Sequence, residues 1–149
     1  MAKGDWNDYT GNAYKEIDNG RHFAPREIAK LCYEEGWTDA DKLLTSISVC
    51  IAESNGYEKR KHVNPDGSID RGIWMINDRA HPDVTDTVAY NAKSATKVAR
   101  RIYVDRGNTF NAWAAFTNGS YKDSHSMGYA FDGVANFLRE KHGYPVPAL

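Results

Sequence analysis

Glu53 closes a run of apolar residues, and Asp70 stands seventeen positions later in a short polar segment. Between them the chain reads Glu53-Ser54-Asn55-Gly56 and then Asn64-Pro65-Asp66-Gly67-Ser68-Ile69-Asp70-Arg71-Gly72-Ile73-Trp74-Met75-Ile76-Asn77. A carboxyl at the end of an apolar helix is desolvated and can keep its proton near neutral pH. A second carboxyl on a polar turn can stay ionised and face a developing positive charge. Together these are what cleavage of a glycosidic bond requires: one acid for the leaving oxygen, one carboxylate for an oxocarbenium-like centre. On spacing alone, Asp70 suits equally a turn aspartate, or one in an ion pair with Arg71 or Arg79. Glu53 has a plainer reading as a surface helix end, although a glutamate on an apolar face is rare without a partner or a task.

Neighbouring residues extend the picture. Asn64 and Asn77 are placed to hydrogen-bond Asp70 and keep it ionised. Trp74, on the Asp70 side of an extended segment, and Tyr57 suit either stacking on sugar rings or the core. Trp113 can supply an apolar wall for Glu53. His62, His81, Asp83 and Asp86 form the one metal-like grouping, but His81-Pro82-Asp83 is too loose to specify a site and Pro82 excludes a regular helix through it. No metal and no cofactor is expected. There is no nucleophilic serine motif and no glycine-rich phosphate loop.

The elements that must position these groups are mostly helical. Ala24-Pro25-Arg26-Glu27 opens a helix with proline at an early position, where its missing N–H does no harm. Ile28, Leu31 and Cys32 follow at helical spacing until Gly36. Thr38-Asp39-Ala40-Asp41 is an N-cap signal with an acidic first turn. The stretch from Leu43 to Ala52 is apolar on nearly every face, which marks a buried helix carrying Glu53 at its end. Turn chemistry at Asn64-Pro65-Asp66-Gly67 and alternation from Ile69 to Ile76 predict a small hairpin. In that alternation Ile69, Arg71, Ile73 and Met75 share one side and Asp70, Gly72, Trp74 and Ile76 the other. Further helices are expected over Asn91–Arg106, Asn111–Phe116 and Met127–Lys141. The expected fold class is mainly α, with a small β hairpin beside the site. Residues 1–24 read as a polar arm, 25–143 as the domain, and 144–149, with Pro145 and Pro147, as an extended tail.

At 149 residues the chain suffices for one domain with a core, and an apolar fraction of 41% against 26% charged is that of a globular protein. A net charge of −1 gives no nucleic-acid footprint, and no apolar run approaches a membrane span. The N-terminus lacks an apolar signal-peptide core, so synthesis in the cytoplasm is expected, with any outer target reached by another route. Cys32 and Cys50 lie among apolar neighbours; two buried thiols or one disulfide both fit.

These blocks resemble a known family. Glu53-Ser54-Asn55, Asp66 to Arg79 and Asn111-Ala112-Trp113-Ala114-Ala115-Phe116 are similar to the lysozyme-like superfamily. The first two resemble animal c-type lysozymes down to the glutamate–aspartate spacing. The third places Trp113 at the tryptophan that packs on their catalytic glutamate. The stretch from Ala24 to Tyr121 also resembles the soluble lytic transglycosylase domains of phage virion and tail proteins, sharing the glutamate, the Gly72-Ile73-Trp74-Met75 turn and the Ala-Ala-aromatic segment. The animal cysteine framework is absent, Met75 stands where both groups place glutamine, and Phe116-Thr117 replaces a tyrosine–asparagine pair of the transglycosylases.

The resemblance implies an α+β lysozyme-like fold and an enzyme cutting the β-1,4 bond between N-acetylmuramic acid and N-acetylglucosamine of peptidoglycan. Glu53 and Asp70 would be catalytic, and Ser54, Asn64, Trp74, Asn77 and Trp113 would contact substrate. Hydrolysis and transglycosylation both remain open. The implied setting is a phage or prophage, with made-in-host protein carried on the virion or delivered to the cell wall. Implied partners are peptidoglycan strands and other virion or tail proteins. The rival class is a non-catalytic virion or tail module that keeps the fold to bind glycan.

Overall fold

A computed structural model describes residues 20–143. Residues 1–19, most of the expected arm, and the expected tail 144–149 lie outside the described residues. Among the described residues there are six α-helices: α1 (Pro25–Glu34), α2 (Ala40–Ser54), α3 (Asp86–Ala89), α4 (Ala92–Asp105), α5 (Ala114–Thr117) and α6 (Ser124–Lys141). Three short strands, β1 (Lys61–Val63), β2 (Ile69–Arg71) and β3 (Ile76–Asn77), form an antiparallel sheet in chain order. The mainly helical fold with a small sheet is the one expected, though the hairpin gains a third strand.

The helix starts follow their local chemistry. Glu27 reaches back to the Ala24 N–H at 2.9 Å. Asp39 caps α2 through the Asp41 N–H, and Asn91 caps α4 through the Ser94 N–H. Helix α2 ends where Asn55 turns left-handed, with φ 58°. The apolar surround of α2 is buried against α1 and α6, and its Ser48 hydroxyl donates to the Tyr121 carbonyl. Gly133 lets α6 close on α1: a Cβ there would stand 2.7 Å from the Pro25 carbonyl oxygen.

Besides shifted helix ends, with α5 starting at Ala114 and α6 at Ser124, two differences from expectation bear on the site. Residues 21–24, read above as part of the arm, pack against the helical domain. Phe23 N–H donates to the Gly56 carbonyl at 2.8 Å, His22 and Ala24 are buried, and His22 stacks on Tyr57 at 4.1 Å. Tyr57, 1% exposed, is thus a core residue. The second difference is the alternation from Ile69 to Ile76, which breaks after Arg71. Gly72 and Met75 take φ of 81° and 50°, so the chain turns between β2 and β3 instead of extending. Glycine is required at 72, since a Cβ would fall 1.9 Å from the Ala89 carbonyl oxygen. Cys32 and Cys50 are both free, buried thiols; burial pushes Cys32 up to about 12, which leaves it inert.

Candidate active site

Helix α2 delivers Glu53 in its last turn, and the sheet delivers Asp70 opposite. Both carboxyls line one cavity of about 200 Å³, together with Met75, Ile76, Asn77, His81, Arg106 and Trp113. The chain thereby brings together the two groups that the sequence singled out.

The surroundings of Glu53 are mixed, and magnitudes decide among them. Burial raises its pKa above the ordinary carboxyl value and is the largest influence. The Ala115 N–H, in the first turn of α5, donates to Oε2 at 3.0 Å and works against this by favouring the anion. The Asp70 charge adds a smaller push upward. Burial wins, and Glu53 is biased toward the protonated form that a general acid needs. Its place at the C-terminal end of α2 is also the poor end for an anion.

Trp113 forms an apolar wall of the same cavity. It is 5% exposed, and its indole N–H donates to the Trp74 carbonyl at 2.9 Å. It leans on Trp74 and Phe110, with ring centroids 5.5 and 6.1 Å away.

Asp70 is held from both sides. The Asn77 amide donates to Oδ1 at 2.9 Å, and the Asn64 amide donates to Oδ2 at 3.2 Å. Both oxygens are thereby fixed as acceptors. The register explains the first bond, because Asn77 lies directly across from Asp70 in the sheet. The ion pairs weighed for Asp70 do not form. Arg71 is buried, donates to the Ile76 and Val84 carbonyls, and meets Asp86 at 3.0 Å. Arg79 leans toward Asp66 instead, at 3.8 Å.

Several expected substrate contacts take other roles. Trp74 is fully buried, stacks on Trp37 at 5.7 Å and donates to the Thr96 hydroxyl at 3.0 Å, so it offers no face to a sugar. The break at Gly72 and Met75 turned it inward. Ser54 is fully buried, donating to the Cys50 carbonyl and accepting from Gly56 N–H; it finishes α2 and does not line the cavity that holds Asp70. The Asn77 amide serves Asp70 and Ser68 while its oxygen accepts from Arg79 and Ala80 N–H, so it is saturated as a positioning residue. The Asn64 amide is likewise committed to Ser68 and Asp70.

Sequence reasoning missed Arg106, and it weighed His81 only within a metal-like grouping that it set aside. Both line the cavity, yet only the packing of α4 beside the loop after β3 places them there. Burial is the main cause lowering His81, followed by the Arg101 charge. Among the described residues no three His, Cys, Asp or Glu side chains gather as for a metal. Asp83 pairs with Arg101, and Asp86 with Arg71. Among these residues no helix is long and apolar enough to cross a membrane.

A mainly helical domain with a small sheet, carrying a desolvated glutamate opposite an amide-held aspartate, defines a lysozyme-like architecture. Residues 29–115 match the family model described as a lysozyme like domain. This covers more than half of the chain, which belongs to that family. The family is generally one of peptidoglycan-lytic enzymes. No curated protein matches the chain.

Proposed function

We propose that the protein cleaves the β-1,4 bond between N-acetylmuramic acid and N-acetylglucosamine in peptidoglycan. The observation that carries this reading is the pairing in one cavity of a burial-raised Glu53 with an Asp70 whose two oxygens both accept amide hydrogen bonds. Glu53 gives its proton to the leaving glycosidic oxygen as the C–O bond breaks. Asp70 faces the positive charge that grows on the sugar ring, stabilising it or trapping it as an ester. Glu53, now a carboxylate, takes a proton from the incoming water as the water's oxygen bonds to the anomeric carbon, releasing Asp70 where an ester had formed. The sugar with the departing oxygen leaves first.

Hydrolysis is preferred to transglycosylation because Asp70 lines the same cavity as Glu53, with both of its oxygens accepting amide hydrogen bonds. In the alternative, the muramyl C6 hydroxyl attacks and Asp70 is incidental. The sequence resemblance to phage virion and tail domains supports a setting in phage or prophage wall penetration or lysis. Mass spectrometry of muropeptides released from purified walls tests both parts. Reducing-end muramic acid is the expected product. The 1,6-anhydro form would replace hydrolysis by transglycosylation, and no release at all would leave a glycan-binding module.

A further inference from the structure

A cavity of about 380 Å³ lies apart from the active site, between the loop joining α1 to α2 and helix α4. It shares no lining residue with the cavity that holds Glu53 and Asp70. The two use different faces of α4: Ile102 and Arg106 line the first, Arg100 and Tyr103 the second. The Arg100 guanidinium lies 5.3 Å from the Trp37 ring centroid and 5.0 Å from that of Tyr103, and both rings are buried. Stacking of this kind holds the planar fork in place. Gly36, with φ 112°, leaves room for it, since a Cβ there would come within 3.2 Å of the guanidinium carbon and of Nη2. The neighbouring cations Lys97 and Arg101 have Glu35 and Asp83 as partners. Arg100 is half-buried, yet among the described residues it has no hydrogen-bond acceptor and no ion pair. Lys42 adds a second, exposed cation to the cavity, and Asp39 adds a single carboxylate. Asp39 spends Oδ1 on the Asp41 N–H at 3.1 Å as the cap of α2. Two cations against one carboxylate leave an excess of one positive charge, carried on a stacked, unspent fork. That suits a singly charged carboxylate better than a doubly charged phosphate, which Asp39 would repel.

We propose that this cavity is a second wall-binding site, separate from the catalytic cleft, in which Arg100 takes a carboxylate of a peptidoglycan peptide stem. That the ligand is a wall peptide rests on the function proposed above; the carboxylate chemistry rests on the cavity alone. Peptide stems carry free carboxylates at their C-termini and on their acidic residues. An enzyme that grips a stem while its cleft works on the glycan stays on the insoluble wall between cuts. Arg100 is then a binding residue with no part in bond cleavage. Its loss weakens attachment to walls and leaves cleavage of a soluble, peptide-free glycan unchanged.

The test is equilibrium binding of sugar-free probes to the full, unmodified chain, followed by NMR titration. Three probes are compared: a synthetic stem peptide with free carboxylates, the same peptide with every carboxylate amidated, and inorganic phosphate. At low salt the free-acid peptide is expected to bind about tenfold or more tighter than the amidated one. Arg100→Gln should remove most of that ratio, Arg100→Lys should keep part of it, and rising salt should shrink it. Arg100→Gln should also clear walls more slowly than the parent while cutting a peptide-free glycan at the parent rate. If Arg100→Gln melts like its parent and keeps the ratio, or if the amidated peptide binds the parent as well as the acid, this proposal fails, whatever the chain does to walls. Phosphate binding tighter than the free-acid peptide overturns the carboxylate assignment. If the peptide binds through Arg100 but the unmodified chain releases no muropeptide from walls, the cleavage reading falls and the binding site stands. Should Arg100→Gln not fold, the amidated peptide and the salt series decide on the unmodified chain: affinity indifferent to both overturns the proposal.

Discussion

Removing the Trp113 wall separates the chemical role of burial from its structural one. Trp113→Ala deletes a side chain that is 5% exposed and in contact with Trp74 and Phe110. Truncations of this kind cost about 3–5 kcal/mol. The orphaned Trp74 carbonyl adds little, because the vacated space opens onto the cleft and water can replace the indole N–H. Against a domain stability of about 5–15 kcal/mol, the variant should fold but melt much lower. Trp113→Phe is the control. It keeps the wall and loses the 2.9 Å bond to Trp74, a cost of about 1–3 kcal/mol. For a chain of this size that is a fall of about 2–4 °C per kcal/mol. The two variants part in their pH–rate profiles, measured by clearing of purified cell walls. A general acid works below its pKa, and burial raises that of Glu53, extending activity toward higher pH. Water admitted by Trp113→Ala lowers the pKa, so the alkaline limb should move to lower pH, whereas Trp113→Phe should keep it. An unmoved limb in Trp113→Ala would show that this wall is not what desolvates Glu53, and a parent-like melt would show that Trp113 is not core.

Glu53→Gln should lower wall clearing by about 10²–10⁴-fold, since the amide cannot deliver a proton; parent-like clearing would end the catalytic assignment. Because the folded pKa of Glu53 is raised, its ionisation costs stability as pH rises through that value, so Glu53→Gln should melt no lower than the parent at neutral pH. Asp70→Asn should abolish most hydrolysis, with a modest melting loss because one amide now faces another; near-normal rates with 1,6-anhydro products would show that Asp70 is incidental. His22, 2% exposed, is pushed down to about 4 by burial. A depressed histidine contributes stability that is full above its unfolded pKa and is lost as pH falls from about 6.5 toward 4, about 3 kcal/mol across the window. Urea unfolding over that range should show the slope in the parent and lose it in His22→Gln; equal slopes would refute the assignment.

Much of this molecule was legible locally. Helices α1, α2, α4 and α6 announce themselves because helical periodicity, Asp39 and Asn91 as caps, and the nearly all-round apolar surface of α2 are properties of short windows. Glu53 at the end of that buried helix follows from the same windows, and so does the suspicion that Asn64 and Asn77 serve Asp70.

Tertiary structure decided the rest, because it depends on which distant surfaces meet. Nothing local puts the Ala115 N–H on Glu53 across 62 positions, or pairs Arg71 with Asp86 and frees Asp70 from both nearby arginines. Two left-handed residues, Gly72 and Met75, broke an alternation that reads as continuous in the sequence and sent Trp74 into the core. Residue types fixed which chemistry was possible. Packing fixed which groups were desolvated, which were saturated by neighbours, and which were left facing the cleft.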